Sequence, residues 1–326
     1  MTLRWGVLGT ARINRRVIPA IRLAPRSEVA AVASRTRARA ESYATEWNIP
    51  RAITGYQALV DDPGIDAIYI PLPNSEHVTW TLAAVAAGKH VLCEKPMALD
   101  PADIDRIHAA AAAAKVVVEE GFMYRHEPLT HKVVDLVHSG ALGTVRAIVS
   151  GFTFTLTNGA DVRLDPALGG GSLWDIGCYP ITYARLLAGC DPKMVFGSAH
   201  WHAGGVDEEF MGMLRFPGGT TATIYSGFRA AFRTWLEVIG SDGSLTVPNP
   251  FKPGPREVLE LERNGRIEAI EVAGSAELFV RQIEDFERSV LDSAPSVVTL
   301  ADSRHAAATI AALLDSARDT AAMYPQ

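Results

Sequence analysis

The chain has 326 residues, 48% hydrophobic and 21% charged, an ordinary globular composition with room for two domains. A formal net charge of −6 argues against a nucleic-acid-binding surface, and no apolar run approaches the roughly 18 residues that span a membrane. The three cysteines (Cys93, Cys178 and Cys190) are too few and too scattered for a disulfide framework or a zinc site.

The first residues run into an apolar strand pattern without a signal-peptide h-region, so the expectation is a soluble, cytoplasmic protein. Over residues 1–120, short apolar runs alternate with amphipathic stretches. The pattern predicts strands over Arg4–Leu8, Val29–Ser34, Ala67–Ile70, His90–Cys93 and Val116–Glu119. It predicts helices over Ile13–Ala24, Thr36–Trp47, Glu76–Ala87 and Pro101–Ala114. Such alternation implies a parallel, doubly wound sheet. Pro19 removes a hydrogen bond deep in the first helix, which predicts a start near Arg15 or Arg16, or a kink.

The first turn reads Gly9-Thr10-Ala11-Arg12-Ile13-Asn14, an imperfect G-x-G-x-x-G with Ala11 and Asn14 in the second and third glycine positions. The helix end behind it offers free N–H groups and a positive dipole to a phosphate. An NAD site carries an acid at the end of the second strand. Here that stretch reads Ser34-Arg35-Thr36-Arg37-Ala38-Arg39. Ser34 can bond a 2′-phosphate and Arg35 can clamp it, so NADP is favoured, with NAD the alternative. Arg37 and Arg39 read as helix-surface charges.

The run after Ile70 is Pro71-Leu72-Pro73-Asn74-Ser75-Glu76-His77. Asn74 or Ser75 can cap the next helix, and His77 falls in its first turn, where a structural role outweighs a catalytic one. Next, Lys89–Met97 reads KHVLCEKPM. Its apolar core is a buried parallel strand, and ligands of open α/β sheets bind beyond the carboxyl ends of such strands. Lys95 stands there, and Pro96 turns the chain away from helical geometry.

From residue 123 the composition shifts. A helix is predicted over Pro128–Ser139, followed by β-like runs over Thr144–Phe154, Val195–Trp201, Glu209–Arg215, Thr220–Ser226, Thr234–Gly240 and Gly243–Val247. Asn264-Gly265 turns a hairpin between Glu257–Glu262 and Ile267–Val272. Helices are predicted near Ala276–Leu291 and Leu300–Ala322. The second domain is thus α+β, with a large, mostly antiparallel, open sheet. Its uncovered face suits a homodimer or homotetramer. The expected division is 1–122 for the cofactor and 123–326 for substrate binding and oligomerisation. His200 and His202 alternate on one strand without further ligands, a poor metal site.

The loop Gly169-Gly170-Gly171-Ser172-Leu173-Trp174-Asp175-Ile176-Gly177-Cys178-Tyr179 interrupts the strands. Ser172 and Asp175 have capping-box spacing. Asp175 and Tyr179, four apart, share one face of a helix. A carboxylate and a phenol together suit acid–base chemistry, and a nearby ammonium such as Lys95 lowers a phenol's pKa.

The segments RWGVLGTARI, PLPNSEH, GKHVLCEKPMAL, GFMYR, GALGTVRAI and GGGSLWDIGCYPI, spread over nearly the whole chain, together resemble the glucose–fructose oxidoreductase/inositol dehydrogenase family. Tyrosine at 179, where many members have histidine, resembles the branch with dimeric dihydrodiol dehydrogenases and D-xylose 1-dehydrogenases. The resemblance implies hydride transfer between a nicotinamide and a carbinol or carbonyl carbon of a sugar or polyol. It implies Tyr179 as acid/base, Lys95 as a charge against nicotinamide and substrate, and Asp175 as an orienting group. The expected cofactor contacts are Gly9, Thr10, Ala11, Arg12, Ile13, Ser34, Arg35, Leu72, Asn74, His77, Glu94 and Lys95. The expected substrate contacts are Arg125, Phe154, Trp174, Asp175 and Tyr179, with Phe152 beside them. Two further readings stay open on sequence: a redox-neutral, glycosidase-type enzyme that retains its cofactor, and a non-catalytic nucleotide sensor.

Overall fold

A computed structural model describes residues 2–323. The chain forms two compact units. One runs up to His126 and includes Glu277–Arg304; the other comprises Glu127–Ala276 and the chain from His305.

In the first unit the elements run β1 (Leu3–Leu8), α1 (Asn14–Leu23), β2 (Ser27–Ser34), α2 (Arg37–Glu46), β3 (Arg51–Thr54), α3 (Tyr56–Val60), β4 (Ala67–Ile70), α4 (Asn74–Ala86), β5 (His90–Glu94), α5 (Pro101–Ala114) and β6 (Val118–Gly121). The strands pair in parallel in the order β3-β2-β1-β4-β5-β6. That is the doubly wound dinucleotide-binding order, with every carboxyl end on one edge. All four residues of β4 are buried, as expected of a strand covered on both faces. Its Ile68 and Ile70 pack with Val91 and Cys93 of β5, Ala84 and Val85 of α4, and Ile107 and Ala111 of α5.

α5 follows from its residues. The Asp100 carboxylate accepts the Ala102 N–H at 2.8 Å, Pro101 opens the helix, six alanines end it, and Lys115 stops it in a left-handed conformation. The chain returns to this unit through α8 (Val280–Leu291), which packs Phe286 on Trp5 at 5.0 Å between centroids. Glu287 accepts the Arg26 N–H, and Asp292 and Glu277 pair with Arg26 and Arg16.

Several boundaries differ from the sequence reading. α1 starts at Asn14 and carries Pro19 inside it; the one N–H bond lost there does not delay the start. α4 starts at Asn74 with Pro73 in the N-cap position, so neither Asn74 nor Ser75 caps it. β3 and α3 were not anticipated. Both are short, and β3 is largely exposed, so neither carries an apolar period to read.

The second unit contains α6 (Pro128–His138), β7 (Val145–Thr155), a π-helical turn (Leu173–Gly177), α7 (Cys178–Ala188), β8 (Met194–Trp201), β9 (Asp207–Arg215), β10 (Thr221–Gly227), β11 (Arg229–Gly240), β12 (Gly243–Val247), β13 (Arg256–Arg263) and β14 (Arg266–Ala273). Its sheet has the order β14-β13-β12-β11-β7-β10-β9-β8. β7 and β10 run parallel; every other pair is antiparallel. The last helix, α9 (Leu300–Met323), covers the inner face at β8, where the Leu313 carbonyl leaves no room for a side chain at Gly197. The opposite face carries exposed Met194, Phe196, Met211, Met213 and Ile239.

Candidate cofactor and catalytic sites

The cofactor candidates gather at the carboxyl edge of the first unit's sheet. Gly9 follows β1 with φ +91°, a left-handed conformation that favours glycine. A methyl on it would lie 3.0 Å from Leu72 Cδ2 and 3.4 Å from the Tyr56 hydroxyl, so the turn is a tight cradle. Asn14, in the third glycine position, is fully buried and donates from Nδ2 to the Gly9 carbonyl at 3.0 Å. It ties the turn shut, a role glycine could not fill. Thr10, Ala11 and Ile13 are half-buried and Arg12 is exposed, leaving the turn open on its outer side.

The end of β2 faces this turn. Ser34 is buried and Arg35 exposed, with no acid beside them. Arg37 pairs with Glu41 on its own helix. Arg39 instead donates from Nε to Thr10 Oγ1 at 2.6 Å, so it belongs to the turn and is not a plain surface charge. Burial raises the Tyr56 phenol's pKa, while Arg35 and Arg39 pull it down. Ser34, Arg35, Arg39 and Tyr56 thus line one side of the turn with two cations and two hydroxyls. Arg39 and Tyr56 escaped the sequence reading because a helix-surface arginine and a residue after an unanticipated strand carry no local signal.

Lys95 follows β5 on the same edge and is half-buried, joined to Pro96 by a cis peptide bond. Two buried groups fix the loop after it. The Glu120 carboxylate accepts the Met97 N–H at 2.8 Å. His77 sets Nδ1 2.7 Å from the Pro96 carbonyl and Nε2 2.8 Å from the Leu72 carbonyl. Both ring nitrogens are engaged by backbone, and burial lowers the imidazole's pKa. His77 therefore shapes the loops that follow β4 and β5, from a position with no exposed surface. Glu94 accepts the Tyr69 hydroxyl at 2.7 Å. Arg125 is half-buried and reaches the Val297 carbonyl.

The other candidates lie in the second unit. Ser172 and Asp175 form no capping box. The segment is a π turn, Ser172 makes no cap bond, and its hydroxyl donates to Asp207 Oδ2 at 2.7 Å. Asp175 lies within this π turn, and Tyr179 is the second residue of the α-helix that follows it, so the two stand on a π-to-α junction and not on one regular α-helix. Asp175 accepts Arg163 Nε at 2.6 Å, and Arg163 also holds Asp161 at 3.1 Å. Asp175 first and Asp161 second raise the guanidinium's pKa. Arg163 approaches the half-buried Phe154 ring at 5.8 Å.

Tyr179 is 5% exposed and sits in the first turn of α7. Its ring packs on Phe152 at 5.6 Å and Phe251 at 5.5 Å, and these two stack on each other at 5.9 Å. Lys252 Nζ lies 4.9 Å over Phe152. Trp174, in the π turn, is 7% exposed. Arg163, Phe251 and Lys252 were missed because sheet pairing and loop packing bring them in from far along the chain.

Among the described residues no three His, Cys, Asp or Glu side chains group as metal ligands. A parallel sheet of this order, with a glycine turn facing an arginine-flanked strand end, defines a dinucleotide-binding protein. The comparisons narrow the class. Residues 3–122 match the model of an oxidoreductase family with an NAD-binding Rossmann fold, and residues 130–246 match the GFO/IDH/MocA C-terminal domain. The chain belongs to the GFO/IDH/MocA oxidoreductase family. It is 38% identical over 325 residues to D-xylose 1-dehydrogenase (NADP(+)) 2 of Haloferax volcanii, covering 98% of this chain and 99% of that protein. A crystal structure of a 3-ketoreductase from Actinomadura kijaniata with NADP and TDP-benzene superposes with TM-score 0.91 at 32% identity, covering 97% of this chain and 98% of the other. The aldose–aldose oxidoreductase of Caulobacter crescentus, complexed with glycerol, gives TM-score 0.91 at 28% identity, covering 98% of each chain. The glycosidase-type and sensor readings are not favoured by these relatives.

Proposed function

We propose that the protein is an NADP-dependent dehydrogenase or reductase of a sugar or related polyol. The observation that carries this reading is the shared edge of the first sheet. The cradle at Gly9, the acid-free end of β2 and Lys95 all stand at carboxyl ends of parallel strands. NADP fits these residues. Gly9, Thr10, Ala11, Arg12 and Ile13 would meet the pyrophosphate with backbone N–H groups, and Ser34, Arg35 and Arg39 would read the 2′-phosphate. Leu72, Asn74 and Glu94 complete the cofactor side. When bound, the cofactor supplies or accepts a hydride. Tyr179 takes the proton from the substrate hydroxyl in oxidation and returns it in reduction. Lys95, at the carboxyl edge of the first sheet, supplies an ammonium suited to stabilising developing negative charge. Asp175, already paired with Arg163, is suited to orienting rather than to taking a proton. Arg125 and Phe154 are the remaining substrate-side candidates.

The sugar assignment rests on the named activities of the relatives. It is tested by following absorbance at 340 nm with NADP or NAD against D-xylose, other aldoses, inositols, trans-dihydrodiols and nucleotide-linked keto-sugars. NADP-linked turnover that falls about a thousandfold in Tyr179→Phe is expected; turnover with NAD alone would remove the 2′-phosphate argument.

A second copy of the chain is the expected cover for the open face of the large sheet. Three free cysteines, two of them buried, fit a reducing compartment such as the cytoplasm, and among the described residues no helix is long and apolar enough to cross a membrane.

A further inference from the structure

We propose that Asp207 is a positioning residue for the reaction: its buried carboxylate holds the Leu173–Gly177 π turn in the register that presents Asp175 and Tyr179. The proposal rests on the acid/base reading of Tyr179 given above.

Asp207 opens β9 and is 2% exposed. Its Oδ2 accepts two hydrogen bonds from the first residues of the turn, the Leu173 N–H at 2.7 Å and the Ser172 hydroxyl at 2.7 Å. Ser172 Oγ also lies 3.0 Å from Ser226 Oγ on β10. The turn's amino end is thereby fastened to two adjacent strands. Gly171, at φ +119°, makes the approach feasible, because a methyl there would overlap Asp207 Oδ1. At the other end, Gly177 lies against Leu173 and Ser226 with no space for a side chain.

The turn matters because of what it carries. It holds Asp175 and runs directly into α7, whose second residue is Tyr179. Asp175 meets Arg163 there, and Tyr179 meets Phe152 and Phe251. An isolated π turn is uncommon, and the Asp207 carboxylate holds this one at its amino end.

The charged groups around Asp207 are matched among themselves. On its own strand Glu209 pairs with Arg229 of β11 and accepts the Tyr225 hydroxyl of β10, and Glu208 lies 3.9 Å from His200 of β8. On the loop and turn, Asp161 and Asp175 share Arg163, and Asp165 accepts the Ala167 N–H. Burial, opposed by the Ser172 and Leu173 hydrogen bonds, pushes the Asp207 carboxyl up to about 6. Its ionised form is the stronger acceptor for both donors.

The test uses Asp207→Asn in the full-length protein. Three quantities are read: kcat and KM with NADP and D-xylose (or the best substrate of the panel) from pH 5 to 8, deuterium exchange of amides 172–179, and Tyr179→Phe as reference. Wild-type kcat is expected to decline below about pH 6. The variant should lose about tenfold to a hundredfold in kcat, lack that acid limb, keep KM for NADP within about twofold, and exchange faster across 172–179. If the asparagine protein does not fold, Ser172→Ala removes one donor and should show the same changes at reduced size. Unchanged kcat and acid limb, or faster exchange without loss of kcat, would overturn the proposal. Full turnover in Tyr179→Phe would instead overturn the acid/base reading, which that variant reports independently of Asp207.

Discussion

At the scale of single residues, charge and burial carry the predictions. Arg39 reaches the Gly9 turn through Thr10, whereas Arg37 is engaged with Glu41. Removing a charged hydrogen-bond partner costs about 1.5–3 kcal/mol. Arg39→Ala should therefore raise KM for NADP by about tenfold to a hundredfold and leave KM for NAD within about twofold, in steady-state kinetics with both cofactors. Arg37→Ala should change neither. Asp207 sets a stability slope. Its folded value near 6 exceeds the ordinary 3.8 of an unfolded aspartate. Between these values the folded chain keeps a proton that the unfolded chain has released. The group's stabilising contribution is thus full below about pH 4 and is lost as pH rises through 6, by about 3 kcal/mol. Urea midpoints at pH 4.5 and 7 should diverge less in Asp207→Asn than in the wild type.

At the scale of elements, legibility followed periodicity. α5, β4 and β12 have the same bounds in the structure as in the sequence pattern, because alanine runs, four buried apolar residues or a glycine start leave little choice. β3 and α3 were invisible, since pieces of four and five residues, the first of them largely exposed, are too short to carry a period. The Gly9 turn, Ser34, Lys95 and Tyr179 could be singled out because each sits in a short run with a meaning of its own. Arg163, Asp207 and Phe251 could not. Each is made relevant by a partner outside its own local run, Arg163 by Asp175, Asp207 by Leu173 and Phe251 by Tyr179. The π turn was read as an α-helix for the same reason: its cause lies on β9, outside the segment. Gly171→Ala tests that cause. Left-handed backbone and overlap with Asp207 should together cost about 2–3 kcal/mol, seen as a lower urea midpoint with unchanged slope.

At the scale of the whole molecule, the second unit's sheet leaves one face open, with Met194, Phe196, Met211, Met213 and Ile239 exposed on it. Strand pairing sets Phe196 of β8 beside Met213 of β9, and Met213 beside Thr223 of β10. Trp235 of β11 lies across Gly151 of β7, where no side chain would fit. The result is a broad surface with an apolar edge at β8 and β9, a form that marks protein–protein contact. A single chain is 35.1 kDa. Sedimentation equilibrium should give an integral multiple of that mass for the wild type and the single-chain mass for a Phe196→Glu/Met213→Lys double variant. A wild type at the single-chain mass would exclude self-association through this face.

The return of Glu277–Arg304 to the first unit imposes an order of events during synthesis. Trp5 leaves the ribosome about 280 residues before Phe286, which packs on it. At cellular rates of about 5–20 residues per second, β1 waits roughly 15–60 s for that cover. Throughout this interval the nascent cofactor unit exposes an apolar patch around Trp5, and Arg16 and Arg26 lack their acidic partners. The nucleotide unit of this enzyme is completed only after the strands of the other unit have been made, and its yield in the cell will depend on how well that patch is shielded in the meantime.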